Sequence, residues 1–321
     1  LEGFKIVVDA GNGAGGFFVD KVLVPLGADV TGSQYLEPDG SFPNHIPNPE
    51  DAEAMEAITK AVLQNQADLG IIFDADVDRA GAVDKNGKEI NRNRLIAMIA
   101  AIILEEHPGT TIVTDSITSS GLKEFIEKKL GGIHHRFKRG YKNVINEAIR
   151  LNAEGQECHL AIETSGHGAL KENYFLDDGA YLMTKILVKM AQMKLKGEGS
   201  IDQLIADLAE PVEGKEFRMN ILVENFKDYG NQIINDLTQY AEEQPGWMVA
   251  PDNHEGIRVA FGKDDGDGWF LLRLSLHDPL IPLNIESDSP GGVKVIAAKL
   301  LTFLESYKDL DISSLKSYVE E

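Results

Sequence analysis

Over the first two thirds of the chain, short apolar runs alternate with amphipathic stretches. Residues 6–8 (Ile-Val-Val) make a strand-length run, a glycine-rich turn occupies 11–16, and an amphipathic stretch extends to Leu26. Gly27 to Val30 then leads toward a further strand. Residues 36–51 are rich in Pro, Asn and Asp and predict a long loop. Ala54, Ala57, Ile58, Ala61 and Val62 keep helical spacing across 52–64, and a second apolar run fills 69–73. The alternation returns with a strand at 112–113, helices at 121–129 and 144–151, and a strand at 159–163. A helix over 181–193 carries Leu182, Ile186, Met190 and Met193 on one face, and Lys194 to Ser200 reads as surface linker. Such alternation predicts α/β layers.

The last third changes rhythm. Strands are expected at 217–223, 256–261 and 269–275, followed by a helix over 293–307 that buries Ile296, Leu300, Phe303 and Leu304. Grouped strands with helices at the ends predict an α+β arrangement. The expected fold class is α/β: two mixed α/β domains, 1–107 and 108–212, and a C-terminal α+β domain, 213–321. The longest apolar run, 95–104, is half of the roughly 20 residues a membrane span needs, so it predicts a buried helix and no membrane partner.

Charge narrows the function classes. Acidic residues outnumber basic ones by 52 to 31, for a net charge of −21. A nucleic-acid partner is therefore not expected, because such binding needs a basic face. A local basic pocket for phosphate stays compatible. Cys158 stands alone, so no internal disulfide forms, which fits a reducing compartment and predicts the cytoplasm, with a plastid as the alternative. No signal peptide is visible. The chain begins at Leu1 and enters a strand by residue 6, which predicts a piece of a longer protein.

The sharpest motif is Asp74-Ala75-Asp76-Val77-Asp78-Arg79, three alternating carboxylates after an apolar run. If the chain bends there they converge into an oxygen site suited to Mg²⁺, with Arg79 beside it as a fork for phosphate oxygens. A calcium loop needs Gly at its sixth position and Glu at its twelfth; Arg79 and Lys85 stand there instead. The plain alternative is an acidic turn. Gly11-Asn12-Gly13-Ala14-Gly15-Gly16 fits a dinucleotide-binding turn, but no acid ends the second strand, and a tight strand-to-helix turn explains the glycines equally well. Glu163-Thr164-Ser165-Gly166-His167 offers a carboxylate and a hydroxyl two apart, suited to sugar hydroxyls if the segment is extended. Asp177-Asp178 reads as a helix N-cap. Lys138-Arg139-Gly140-Tyr141-Lys142 is a basic cluster able to attract an anion. Arg273 and Ser275 end a strand with His277 and Asp278 close behind. Cys158 reads as packing.

Together and in this order, these motifs resemble the α-D-phosphohexomutase superfamily, of the phosphoglucomutase/phosphomannomutase type. Residues 4–16, Asp39-Gly40-Ser41-Phe42-Pro43-Asn44-His45 and Pro47-Asn48-Pro49 resemble its second domain. Asp74 to Arg79 resembles its metal loop, Glu163 to His167 its sugar loop, and residues 252–287 its phosphate-binding fourth domain. The resemblance implies that Asp74, Asp76 and Asp78 hold Mg²⁺, that Arg79 helps hold the transferring phosphoryl group, and that Lys142 is a catalytic residue matching a basic position near the active site. It implies that Glu163, Ser165 and His167 bind the sugar of a hexose phosphate, and that Arg273 and Ser275 hold its remote phosphate. The implied reaction is phosphoserine- and Mg²⁺-dependent interconversion of hexose 1- and 6-phosphates, glucose or mannose.

Three departures stand out. Ala75 and Val77 replace the usual glycines of the metal loop, which leaves its backbone less free. Leu276-His277-Asp278 replaces the usual Gly-Thr or Asn-Thr after the phosphate-loop serine, and Asp278 would repel phosphate if it pointed inward. The family's first domain, with its phosphorylated serine in a Thr-Ala-Ser-His-Asn-Pro-like loop, has no counterpart in these residues. The expectation is a chain that carries domains two to four of a mutase and is inactive alone. The alternatives are a non-catalytic sugar-phosphate-binding paralogue and, on the glycine motif only, a dinucleotide-dependent dehydrogenase.

Overall fold

The computed structural model describes residues 1–251, 253–275 and 278–321. The chain divides into two units, residues 1–135 with 139–208, and residues 136–138 with 209–321.

The first unit opens with β1 (Ile6–Asp9), followed by α1 (Ala52–Asn65), β2 (Leu69–Phe73), β3 (Ala80–Asp84), β4 (Glu89–Ile90) and α2 (Arg92–Glu106). These strands form one sheet in the order β1-β2-β3-β4, with β1 and β2 parallel and the other neighbours antiparallel. The unbroken apolar run of β2 is explained by its place: all five residues are buried inside the sheet. Asp51 caps α1, accepting from the backbone N–H of Glu53 and Ala54, and Gln66 closes it in the left-handed region. The strand expected near Gly27–Val30 does not form. Only isolated parallel bridges, Lys5 with Asp29 and Asp9 with Gln34, run there, because Gly27 and Gly32 turn the chain.

The chain continues with β5 (Thr111–Thr114), α3 (Ser120–Glu124), β6 (Ile133–Arg136), α4 (Tyr141–Ala153), β7 (Cys158–Ile162), β8 (Gly168–Leu170) and α5 (Gly179–Lys196). Its sheet runs β6-β5-β7-β8, with β5 and β7 parallel and β7 and β8 antiparallel. The ten residues Leu95 to Leu104 of α2 are all buried, as the apolar run requires. All of them but Ala101 lie in one cluster with Ile71 and Phe73 of β2, Ile112 and Leu160 of the second sheet, and Leu182, Ile186 and Met190 of α5. The two sheets thus share a core. The helix α5 extends to Lys196, so the expected linker is shorter than its composition suggested.

The second unit holds β9 (Glu213–Asn220), α6 (Phe226–Glu243), β10 (Met248–Val249), β11 (Ile257–Phe261), β12 (Gly268–Leu272), β13 (Leu280–Ser287), α7 (Gly292–Leu304) and α8 (Ser313–Glu320). Its five strands form an antiparallel sheet, β10-β11-β12-β13-β9. One face packs Val259, Phe270 and Leu283 against Ile233 and Leu237 of α6 and Ile296 and Leu300 of α7. Mixed α/β sheets followed by an antiparallel α+β unit are the fold class the pattern implied. No helix among the described residues is long and apolar enough to cross a membrane.

Candidate functional site

The parallel strand β2 ends at Phe73, and the chain folds into a loop at Asp74. Asp74 is buried and organises the loop from inside. Its Oδ1 accepts from the backbone N–H of Val77 at 3.0 Å and of Arg79 at 3.1 Å; its Oδ2 accepts from Arg79 Nε at 2.9 Å. This folding brings ligand oxygens of Asp74, Asp76 and Asp78 within 4.8 Å of one another. Burial raises the pKa of Asp74, and the nearby Asp78 carboxylate adds to the shift, against the pull of Arg79. Three convergent carboxylates with one buried member are a donor set that a hard divalent cation neutralises, so these residues fit Mg²⁺.

The loop is clasped from several sides. Arg79 Nη1 donates to Asn48 Oδ1 at 3.1 Å, so the Pro- and Asn-rich loop reaches the site. That loop is fixed by His45, whose Nε2 lies 3.0 Å from Oδ1 of the buried Asp9. The glycine-rich turn does a similar job. Ala14 N–H donates to Ala75 O at 2.9 Å, and a Cβ on Gly13 would stand 2.7 Å from that oxygen. The turn motif is thus explained by close approach of the metal loop, with no nucleotide needed.

Residues 163–167 form the tight turn between β7 and β8, closed by Glu163 N–H to His167 O at 2.9 Å and Gly166 N–H to Glu163 O at 3.1 Å. The expected extended segment is therefore a turn, and it points Glu163 and Ser165 together: Ser165 Oγ donates to Glu163 Oε2 at 3.3 Å. Gly166 sits at φ +99°, where a Cβ would meet Ala80 O at 2.8 Å, and Arg79 and His167 bridge backbone to backbone. The acidic loop 74–79 and the turn 163–167 are thus packed against each other within the first unit.

The electrostatics are crowded. Burial and the Asp115 carboxylate push Glu163 up to about 7, while Gly140 N–H, donating to Glu163 Oε1 at 2.5 Å, opposes this. Burial disfavours charge on His167, but the hydrogen bond from Nδ1 to Asp177 Oδ2 at 2.8 Å and the charges of Asp177, Asp78 and Glu163 outweigh it, so its pKa rises. Thr164 Oγ1 donates to the wholly buried Asp115 at 2.6 Å. Gly140 starts α4, which presents Tyr141 and Lys142 at the surface beside this turn; the Tyr141 ring stacks on His167 with centroids 5.0 Å apart.

Asp74, Asp76, Asp78, Arg79, Glu163, Ser165 and His167 are therefore gathered in the first unit, with Lys142 on the adjoining helix start. Arg273 and Ser275 lie in the second unit, just past β12. Their backbone N–H groups donate to Pro282 O at 3.1 Å and Leu280 O at 3.0 Å, and Ser275 Oγ accepts from Asp278 N–H at 3.3 Å. Asp252, Leu276 and His277 lie outside the described residues. Asp115 carries no motif signal, and Asn48 and Tyr141 stand within the Pro47-Asn48-Pro49 and Lys138–Lys142 motifs without being marked as individual sites. Of the Asp177-Asp178 pair, only Asp178 caps α5, accepting from Tyr181 N–H; Asp177 holds His167 instead.

The domain II model of the phosphoglucomutase/phosphomannomutase family matches residues 1–87, and the domain III model matches residues 91–212. The chain belongs to this family. It is 31% identical over 303 residues to a phosphoglucomutase of Neisseria gonorrhoeae, covering 94% of this chain and 61% of that protein. It is 32% identical over 293 residues to a phosphomannomutase/phosphoglucomutase of Pseudomonas syringae, covering 91% of this chain and 58% of that one. A crystal structure of a Burkholderia thailandensis phosphoglucomutase/phosphomannomutase family protein superposes with a TM-score of 0.77 at 27% identity, over 94% of this chain and 60% of the other. The Paramecium parafusin structure matches at a TM-score of 0.68 and 16% identity, which speaks to the fold alone. The chain thus spans about 60% of the length of these relatives.

Proposed function

We propose that this chain carries the cation-, sugar- and remote-phosphate-binding parts of a phosphohexomutase that interconverts 1- and 6-phosphates of glucose or mannose. The observation that carries the reading is the convergence of Asp74, Asp76 and Asp78 on a loop packed directly against the Glu163–His167 turn. Asp74, Asp76 and Asp78 hold the Mg²⁺, which supplies charge neutralisation for a transferring phosphoryl group. Arg79, already oriented by Asp74 and Asn48, and the exposed Lys142 serve the phosphoryl oxygens as cations. Glu163 and Ser165 accept and donate to sugar hydroxyls, and His167 completes the turn. Arg273 and Ser275 hold the phosphate that does not react, which fixes the sugar for reaction at either end. The three-part division at 107 and 212 belongs to this reading.

The phosphoryl-donating serine is assigned to sequence outside these 321 residues, so the chain alone has no mutase activity. The experiment is a coupled assay of glucose 1-phosphate conversion with Mg²⁺, run beside calorimetric binding of glucose 1-phosphate and mannose 1-phosphate. We expect binding without turnover. Robust Mg²⁺-dependent conversion by the chain alone refutes the missing-serine assignment. Absence of any hexose-phosphate binding, unchanged by Mg²⁺, refutes the site.

A further inference from the structure

The five-stranded sheet of the second unit ends in β9, and no other strand among the described residues pairs with its outer edge. Ile221 N–H donates to Pro279 O. Alternation along the strand therefore turns the N–H and C=O groups of Met219, Phe217 and Lys215 toward β13, and those of Arg218, Glu216 and Gly214 outward. The edge is closed at one end, where Asp311 N–H donates to Asn220 O. Along the rest of it Gly214, Lys215, Glu216 and Arg218 are exposed, while Phe217 and Met219 are buried. A groove of about 440 Å³ runs between Lys215–Arg218 and Ser314, Ser317 and Tyr318 of α8. An open edge of this kind is a template for an added strand.

Charge decides which strand the edge accepts. A second copy added antiparallel about a two-fold axis normal to the sheet keeps every residue on its own face, so exposed positions meet exposed ones. Registers that set Lys215, Glu216 or Arg218 against itself bring like charges directly opposite, which is unfavourable. The register centred on Phe217 escapes this. Glu216 of one copy then stands opposite Arg218 of the other, twice, and Lys215 stands opposite Met219. Glu216 and Arg218 are both outward-turned, so the two pairs exchange four backbone hydrogen bonds. Their side chains are already prepared: Arg218 Nη1 lies 3.3 Å from Glu216 Oε1, and Asn284 Nδ2 donates to Glu216 Oε2 at 3.1 Å. Two copies would complete a square of alternating charges on the face away from Phe217. Asp311, beside Asn220, limits the pairing to residues 215–219.

We propose that β9 is a self-association surface: two copies of the chain join edge to edge through residues 215–219, in the register that sets Glu216 against Arg218. So short a contact is well below the area of a standard stable interface, so the dimer is a weak one that forms in the micromolar-to-millimolar range. The charges that guard the edge against foreign strands thus admit one partner, the same strand of a second copy. Neither Glu216 nor Arg218 belongs to the candidate site, so the proposal does not rest on the phosphoryl-transfer reading.

Self-association of the 321-residue chain is measured by sedimentation equilibrium from about 5 μM to about 1 mM, with circular dichroism to confirm folding. Wild type should show a monomer–dimer equilibrium. Arg218→Glu and Glu216→Arg each place like charges opposite one another twice, and each should weaken that equilibrium at least ~10-fold. Mixing the two variants makes every cross-strand pair opposite in sign again, so the mixture should dimerise more tightly than either variant alone. Arg218→Pro removes an outward N–H and no bond of the ladder to β13, so it should abolish the dimer and keep the fold. In amide exchange, Glu216 and Arg218 of wild type should gain protection as concentration rises; this readout decides should a substitution fail to fold. A chain that stays monomeric at about 1 mM overturns the proposal. So does a dimer that both charge substitutions leave unchanged, a mixture of the two that gains nothing, or a dimer whose Glu216 and Arg218 amides exchange as in the monomer.

Discussion

Val77 stands at φ +72°, in the left-handed region, where a β-branched side chain is out of place. The strain is held in position from both sides: Val77 N–H donates to Asp74 Oδ1, and Val77 O accepts from Gly179 N–H. Its side chain, 8% exposed, also packs into the core shared by the two sheets. Replacing Val77 by Ala or Gly removes that packing in both cases, at a cost of about 1.5–3 kcal/mol. The two variants differ only in the Cβ. At an ordinary position Gly is less stable than Ala by roughly 0.5–1 kcal/mol. In the left-handed region a Cβ costs about 1–2 kcal/mol, so the order inverts and Val77→Gly should exceed Val77→Ala by roughly 0.5–1 kcal/mol. Both tryptophans, Trp247 and Trp269, lie in the second unit, so their fluorescence does not report on this loop. The assay is native-state amide exchange at Phe73, Ala80 and Ile71, with thermal unfolding by circular dichroism, where 1 kcal/mol moves the first unit's transition by about 2–4 °C. A Val77→Ala variant more stable than Val77→Gly refutes the strain argument.

Glu163, pushed up to about 7 by burial and by Asp115, binds a proton in the folded state at pH values where the unfolded chain has lost it. Its contribution is therefore fully present below about 4.5 and lost as pH rises through about 7. Wild type should lose stability relative to Glu163→Gln between pH 5.5 and 8, by an amount on the order of 2 kcal/mol, read from urea titrations at those two values; parallel pH profiles refute it. Thr164→Val deletes a short hydrogen bond to the buried Asp115, and should destabilise the first unit by about 1.5–3 kcal/mol. A change within 0.5 kcal/mol in amide exchange at Ile162 would show that the turn does not depend on that bond. Cys158 is buried, and burial pushes its thiol up to about 12. Alkylation by iodoacetamide at pH 8 should be negligible in the folded chain and complete in urea; rapid labelling of the native chain refutes this.

What the sequence revealed of the fold followed the strength of each periodic signal. The ten-residue run of α2 and the apolar run of β2 were legible because both are buried on every side. The helix α6 was missed because its apolar positions are spread among eighteen mostly polar residues, with buried contacts at only Gly230, Ile233, Leu237 and Ala241. Gly27–Val30 looked like the start of a strand because its residues permit one; pairing is what it lacks beyond single bridges. In the site, Asp74, Asp76 and Asp78 were legible through their alternation, and Glu163 and Ser165 through their place after a strand. Asn48, Asp115 and Asp177 were not, because each acts on a partner 10 to 49 positions away along the chain, and local spacing holds no record of such pairs.

The glycine-rich turn shows how one motif supports two chemistries until a contact decides. As sequence, residues 11–16 suit a pyrophosphate as well as a tight turn. In the fold, Gly13 is needed because the Ala75 backbone occupies the space a Cβ would take. The family's usual glycines at 75 and 77 would make that loop pliant; here Ala75 and Val77 stiffen it, and the burden of close approach passes to Gly13 on one side and Gly166 on the other. A side chain at either glycine should displace the three carboxylates together without touching any of them. Gly13→Ala and Gly166→Ala are therefore expected to weaken Mg²⁺ binding while Asp74, Asp76 and Asp78 remain intact. Calorimetry that finds Mg²⁺ affinity unchanged in both variants would show that the loop holds its shape without this clasp, and that the carboxylate convergence is local to residues 74–79.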